Sequence, residues 1–233
     1  MGVERIYPDR DHEVSVQERT DYVGIGSEQE RDASPGMATG GLASLRFLGT
    51  IAKTYLVLEG EGRMVVIDQH AAAERVTFSR LWNQHKSGGI AVQGLLIPLK
   101  IELTVAERQN LEELSMEMAR LGFEVDRFGI DTLLVRSVPA ILAKSDIQKL
   151  SRDVIDELSS FSTSEIESKA EEAVIAKMAC HGSVRAGQEL DLQEVQALLK
   201  DLEKTGLAGS CPHGRPVAVE IPLAEMEKWF ERR

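Results

Sequence analysis

Cysteine is scarce in this chain: 233 residues hold two, Cys180 and Cys211. Two cannot make a disulfide framework, and they fit a reducing, cytoplasmic setting. Long apolar runs are missing as well. No stretch of about 18 apolar residues occurs, which excludes a membrane-spanning helix and leaves no membrane partner to expect. The first 21 residues are polar and charged, so they do not read as a secretory signal. Aromatic residues are few, at 5%. Positive charge is outweighed, with 27 Lys and Arg against 38 Asp and Glu and a formal net charge of −11. A field of that sign opposes tight binding of duplex DNA by the chain alone. If nucleic acid is the substrate, another domain or partner has to supply the grip.

What is present divides unevenly. Residues 1–43 carry nine acids against four arginines, and their sparse apolar positions follow no helical or strand period. The segment runs out through SPGMATGG. Such a composition cannot bury enough surface to offset the entropy of ordering it. It is expected to be the end of a disordered linker, a tether from a longer protein that continues N-terminally.

From residue 44 the pattern is globular. Residues 46–52 and 54–59 read as strands, EGEG at 59–62 as a hairpin turn, and RMVVID at 63–68 as a third, buried strand. Residues 71–82 follow as a helix. A second unit begins after Pro98. There, TVAE at 104–107 is a capping box opening a helix to Leu121, and residues 123–126 and 132–138 flank a hairpin turn. SDIQ at 145–148 and SEIE at 164–167 start two further helices, the latter running to about Cys180. DLQE at 191–194 opens another. CPHGRP at 211–216, a strand over 217–221 and a terminal helix after Pro222 complete the chain. The fold class is α+β.

The chemistry gathers in three places. Asp68 sits where a buried strand ends and a helix begins, a usual position for a functional carboxylate. His70 and Glu74, four apart, share one helical face and can converge on a cation. Alone, that pair reads equally well as a helix start with acids favoured by the dipole. In CPHGRP, Cys211 and His213 lie two apart between prolines and a glycine, presenting thiolate and imidazole together, both ligands for zinc. ACHG at 179–182 holds the other cysteine beside a histidine. A lone buried cysteine is most often a small core residue. Yet His70, Cys180, His181, Cys211 and His213 are five of the seven His and Cys residues in the chain. A metal site assembled from three distant segments accounts for that grouping.

The DQHAAAE segment at 68–74, the Ala-Cys-His stretch at 179–181, CPHGRP and the F-x-R at 230–232 occur in the order found in the C-terminal domain of MutL-family mismatch-repair proteins. The chain resembles the nicking members of that family from about residue 45 to residue 233. The resemblance implies an N-terminal ATPase joined through a long linker. It implies a dimerisation and endonuclease subdomain, residues 44–98 and 173–233, with an inserted, smaller regulatory subdomain, residues 99–172. It makes Asp68 the catalytic acid and His70, Glu74, Cys180, Cys211 and His213 metal-site residues, with zinc structural or regulatory and manganese supporting catalysis. The activity implied is metal-dependent nicking of one strand of duplex DNA, by a homodimer that is cytoplasmic and gathers at the nucleoid during repair, with MutS as a partner of the full-length protein. QGLLIP at 93–98 resembles the family's motif for the replication sliding clamp, through Gln93, Leu95, Leu96 and Pro98; without the family it reads as an edge strand or linker. One position departs: the family's first motif usually ends in Glu where this chain has Ser79. Five helical steps turn about 500°, aiming residue 79 roughly 140° away from Glu74. His181, next to Cys180 but at a different angle, stays outside the ligand set. The alternative is a non-catalytic, zinc-stabilised dimerisation and clamp-binding domain of the same family.

Overall fold

The computed structural model describes residues 41–161, 171–182, 189–206 and 215–232. The helix start expected at 164–167, the ligand candidates Cys211 and His213, and nearly all of the expected linker lie outside the described residues.

Short segments rich in β-branched and aromatic residues build a meander of β1 (Arg46–Ile51), β2 (Tyr55–Gly60) and β3 (Arg63–Asp68). The β2–β3 turn is closed by Gly62 at φ +70, left-handed geometry that glycine adopts without a Cβ clash. From the far end of the chain, β7 (Ala218–Pro222) pairs antiparallel with β3, giving the order β1-β2-β3-β7. Register separates the two faces. Leu56 opposite Ile67 and Leu58 opposite Val65 are wholly buried, whereas Ile51, Tyr55, Val66 and Val219 share the other face.

The second sheet has the order β4-β6-β5, from β4 (Val92–Glu102), β5 (Glu124–Phe128) and β6 (Thr132–Pro139). β4 was foreseen only as an alternative for QGLLIP, because Gly94 and Pro98 break its strand pattern. Its pairing shows how they fit: Gly94 lies opposite Ser137 but Leu99 opposite Val135, so residues 95–98 bulge out of the ladder.

Asp68 caps α1 (Gln69–Lys86), which is longer than the apolar period indicates because Asn83, Gln84, His85 and Lys86 extend it. Lys86 lies 4.6 Å over the Trp82 ring, and basic residues suit a helix C-terminus. The capping box at Thr104–Glu107 forms, but the expected single helix is two, α2 (Val105–Gln109) and α3 (Leu111–Arg120). Asn110 separates them at φ −111, a residue type poor at holding helix interiors. α4 (Ile147–Ser160) is capped by Asp146, α5 (Glu171–His181) carries Cys180, and α6 (Leu192–Lys204) opens on the expected Asp191–Glu194 box. α7 (Leu223–Trp229) closes the fold and buries no residue.

Two apolar clusters result. One joins the inner face of the four-stranded sheet to Ala71, Ala72 and Val76 of α1 and to Val195, Leu199 and Leu202 of α6. The other joins the three-stranded sheet to α3, α4, Val174–Ala179 of α5, and Phe78 and Leu81 of α1. Each fully buried leucine or isoleucine contributes about 2 kcal/mol. α1 is common to both clusters, and three successive small residues, Ala71 to Ala73, are buried along its first turns. No helix among the described residues is long and apolar enough to cross a membrane.

Candidate metal and catalytic centre

The centre is built at the junction of β3 and α1. Asp68 NH donates to Val217 O at 3.0 Å and Gln69 NH to Thr54 O at 3.0 Å, so the end of β3 is tied to the entry of β7 and to the β1–β2 turn. Buried Gln69 adds a side-chain bond from Nε2 to Lys53 O at 2.6 Å, a brace with no separate signature in the sequence. The Asp68 carboxylate accepts from the NH groups of His70, at 2.9 Å, and Ala71, at 3.1 Å. It therefore satisfies two of the orphan donors of the first helical turn.

One turn further on, Glu74 is buried at 8% exposure. His70 Nε2 lies 3.2 Å from its Oε1, the i, i+4 contact expected from spacing. From α5, which packs along α1, Cys180 shares a hydrogen bond with the same carboxylate. Burial, reinforced by the charge and hydrogen bond of Glu74, pushes the Cys180 thiol up to about 12. Its Sγ also lies 3.3 Å from Ala176 O. The structure thus joins His70, Glu74 and Cys180 through one carboxylate, with Asp68 at the head of the same helix. Among the described residues, no three His, Cys, Asp or Glu side chains already form a metal-holding group; Cys211 and His213 lie outside them.

His181 Nε2 lies 3.0 Å from Asp153 Oδ2 of α4. That partner is 28 residues upstream, and nothing local in the sequence points to it. Ser79 is half-buried on α1.

The clamp-type segment occupies the bulge of β4, an edge strand. Leu95 packs partly against the second cluster, while Leu96 stands 98% exposed and Ile97 79%. Gln93 and Pro98 are exposed on either side. An apolar side chain this bare is unusual for an edge strand with no partner.

A family model described as the MutL C terminal dimerisation domain matches residues 48–190. The DNA mismatch repair protein MutL of Azorhizobium caulinodans is 43% identical over 181 residues, covering 78% of this chain and 29% of that protein. That of Paramagnetospirillum magneticum is 44% identical over 180 residues, 77% of this chain and 30% of the relative. That of Geobacter sulfurreducens is 37% identical over 207 residues, 89% and 34%. The chain therefore spans about three-tenths of the length of the curated relatives it matches.

Proposed function

The chain belongs to the family of MutL C-terminal dimerisation domains, and on that premise we propose that it pairs with a second copy of itself and nicks one strand of duplex DNA in mismatch repair, at a metal-dependent centre. The observation that carries the nicking reading is the position of Glu74, a buried carboxylate flanked by an imidazole 3.2 Å away and by a hydrogen-bonded thiol from another helix. Imidazole, thiol and carboxylate are donor types suited to a divalent ion.

With Cys211 and His213 added from the sequence, zinc would be held through Cys211, His213 and Glu74, with His70 and Cys180 at the same site, and the carboxylates of Asp68 and Glu74 suit manganese. When bound, such an ion supplies Lewis acidity toward a phosphate oxygen and an activated water. The protein's own contributions are positional. β3, with the bonds from Asp68 NH to Val217 O and from Gln69 NH to Thr54 O, holds Asp68 at the head of α1. The raised thiol of Cys180 stays protonated at neutral pH until a cation replaces its proton, so metal uptake should release protons and weaken as pH falls.

The dimer reading rests on the outer face of the four-stranded sheet. Ile51 is 59% exposed and Val219 50%, and beyond β7 Trp229 is 59% and Phe230 71% exposed. A contiguous apolar face of this kind is an association surface. The bulge of β4, with Leu96 outermost, is proposed to dock in an apolar cleft of the replication sliding clamp, its affinity limited by the small area a short segment buries. A tethered clamp would offset the poor DNA affinity implied by a net charge of −11. MutS contact and the ATPase half are proposed for the longer protein.

Relaxation of supercoiled plasmid with manganese, by this chain and by Asp68→Asn, tests the reading. The parent should nick and the variant should not. Equal nicking by both, or by neither while zinc is retained, leaves a zinc-stabilised dimerisation domain.

A further inference from the structure

The end of α5 is held from three directions, none of which involves a candidate ligand. Ser145, in the loop before α4, donates from Oγ to His181 O at 2.7 Å. That carbonyl is one of the four a helix C-terminus leaves without an intrahelical partner. The His181 ring reaches across to Asp153 of α4, Nε2 to Oδ2 3.0 Å, with the ring 11% exposed. Gly182 is wedged so tightly that a methyl group on its Cα would come within 2.6 Å of Leu142 and 2.9 Å of Thr77, both buried. Helix ends ordinarily fray, and the last turn is the least determined part of an element. Cys180 sits in that last turn.

We propose that Asp153 and Ser145 are positioning residues for Cys180, setting its thiol against Glu74 by fixing the rotation and height of the last turn of α5. Neighbouring helical residues point about 100° apart. Anchoring the ring of residue 181 on α4 therefore turns residue 180 toward α1. Gly182 lets the chain leave between Thr77 and Leu142 without pushing that turn off α1. Asp153 and Ser145 belong to the part of the chain built around the three-stranded sheet, whereas Glu74 stands at the four-stranded sheet. The geometry of the centre is thereby coupled to α4. The metal consequence rests on the centre proposed above; the positioning of the thiol does not.

Two measurements on the 233-residue chain test this. In chelator-treated protein carrying Cys211→Ser, Cys180 is the one thiol, and its rate of reaction with a small neutral disulfide reagent reads how firmly it is seated. Asp153→Ala should raise that rate roughly tenfold, since a charge-assisted bond is lost from the clasp. Asp153→Asn, which keeps an acceptor for the ring, should stay near the parent. With Cys211 intact, zinc affinity from chelator competition should fall about ten- to a hundredfold in Asp153→Ala, the usual effect of losing a residue that orients a ligand. Ser145→Ala should move both quantities the same way, and it carries the test if Asp153→Ala does not fold. Unchanged thiol rates in the folded variants, with only the melting temperature lowered, would overturn the proposal and leave a simple tie between α4 and α5. Raised thiol rates in a protein that binds no zinc would support the positioning and sink the metal centre instead.

Discussion

At Asp68 two duties coincide, and they constrain how its chemistry can be read. The carboxylate proposed for catalysis also caps an 18-residue helix by accepting from two backbone NH groups. Removing an N-cap costs about 1 kcal/mol, whereas Asn caps nearly as well as Asp. Asp68→Ala should therefore lower the melting temperature and abolish nicking together. Asp68→Asn should abolish nicking alone, which calorimetry beside the plasmid assay would resolve. The thiol gives a second residue-scale prediction. Burial is the largest cause of the shift that puts Cys180 at about 12, with Glu74 next. In metal-free Glu74→Gln the thiol should titrate lower than in the parent, yet above the ordinary thiol range, as followed by thiolate absorbance. Because the folded value is the raised one, the neutral thiol's contribution to stability is full below the unfolded thiol's value of about 8.5. It is lost as pH climbs toward 12. The place of Asp68, at the end of a strand and the head of a helix, was legible in the sequence because a buried apolar run ending in an acid is a local signal. Asp153, tied to His181 across 28 residues, leaves none.

Elements were legible where their determinants are local. Thr104 with Glu107 and Asp191 with Glu194 form reciprocal caps within four residues of chain, and both boxes form. β4 was legible only as an alternative, because its identity depends on pairing with β6, about forty residues away. The bulge that pairing produces makes a prediction. Leu96, at 98% exposure, buries almost nothing in the chain itself. Leu96→Ala should shift stability by less than about 0.5 kcal/mol while sharply weakening binding to an immobilised sliding clamp. Equal clamp binding by the variant would return the bulge to a scaffold role. The contact of α1 with α6 is electrostatic at its rim. A hydrogen bond from Lys204, helped by the charge of Arg80, holds the Asp201 carboxyl below its usual range. A depressed folded value stabilises above the unfolded carboxylate's range and stops doing so as pH falls through the folded value. Asp201→Asn should therefore melt lower than the parent at neutral pH, and the two should converge in strong acid. The pair is partly solvated, so the gap should be modest.

For the whole molecule, the α+β class followed from composition and period, but the two clusters sharing α1 did not, since which helix covers which sheet is decided by contacts distant in sequence. The same holds for the face proposed to meet a second copy. Residue types around β1 and β2 mark apolar strands without saying which side is covered. Register supplies that: Leu56, Leu58, Val65 and Ile67 turn inward to α1 and α6, and Ile51, Tyr55, Val66 and Val219 turn outward. A two-fold dimer uses the same patch on both copies, so one substitution enters the interface twice. Val219→Asp would bring in two like charges, both desolvated on pairing, at a site whose side chain is half exposed in the single chain. The expected result is a folded monomer by light scattering at micromolar concentration, with helix content and melting little changed apart from the part of stability that pairing supplies. Alanine at the same position should weaken the dimer without abolishing it, because it removes apolar area but adds no repulsion. A Val219→Asp chain that remained dimeric would move the interface off this face and leave Trp229 and Phe230, beyond β7, as the surface to test next.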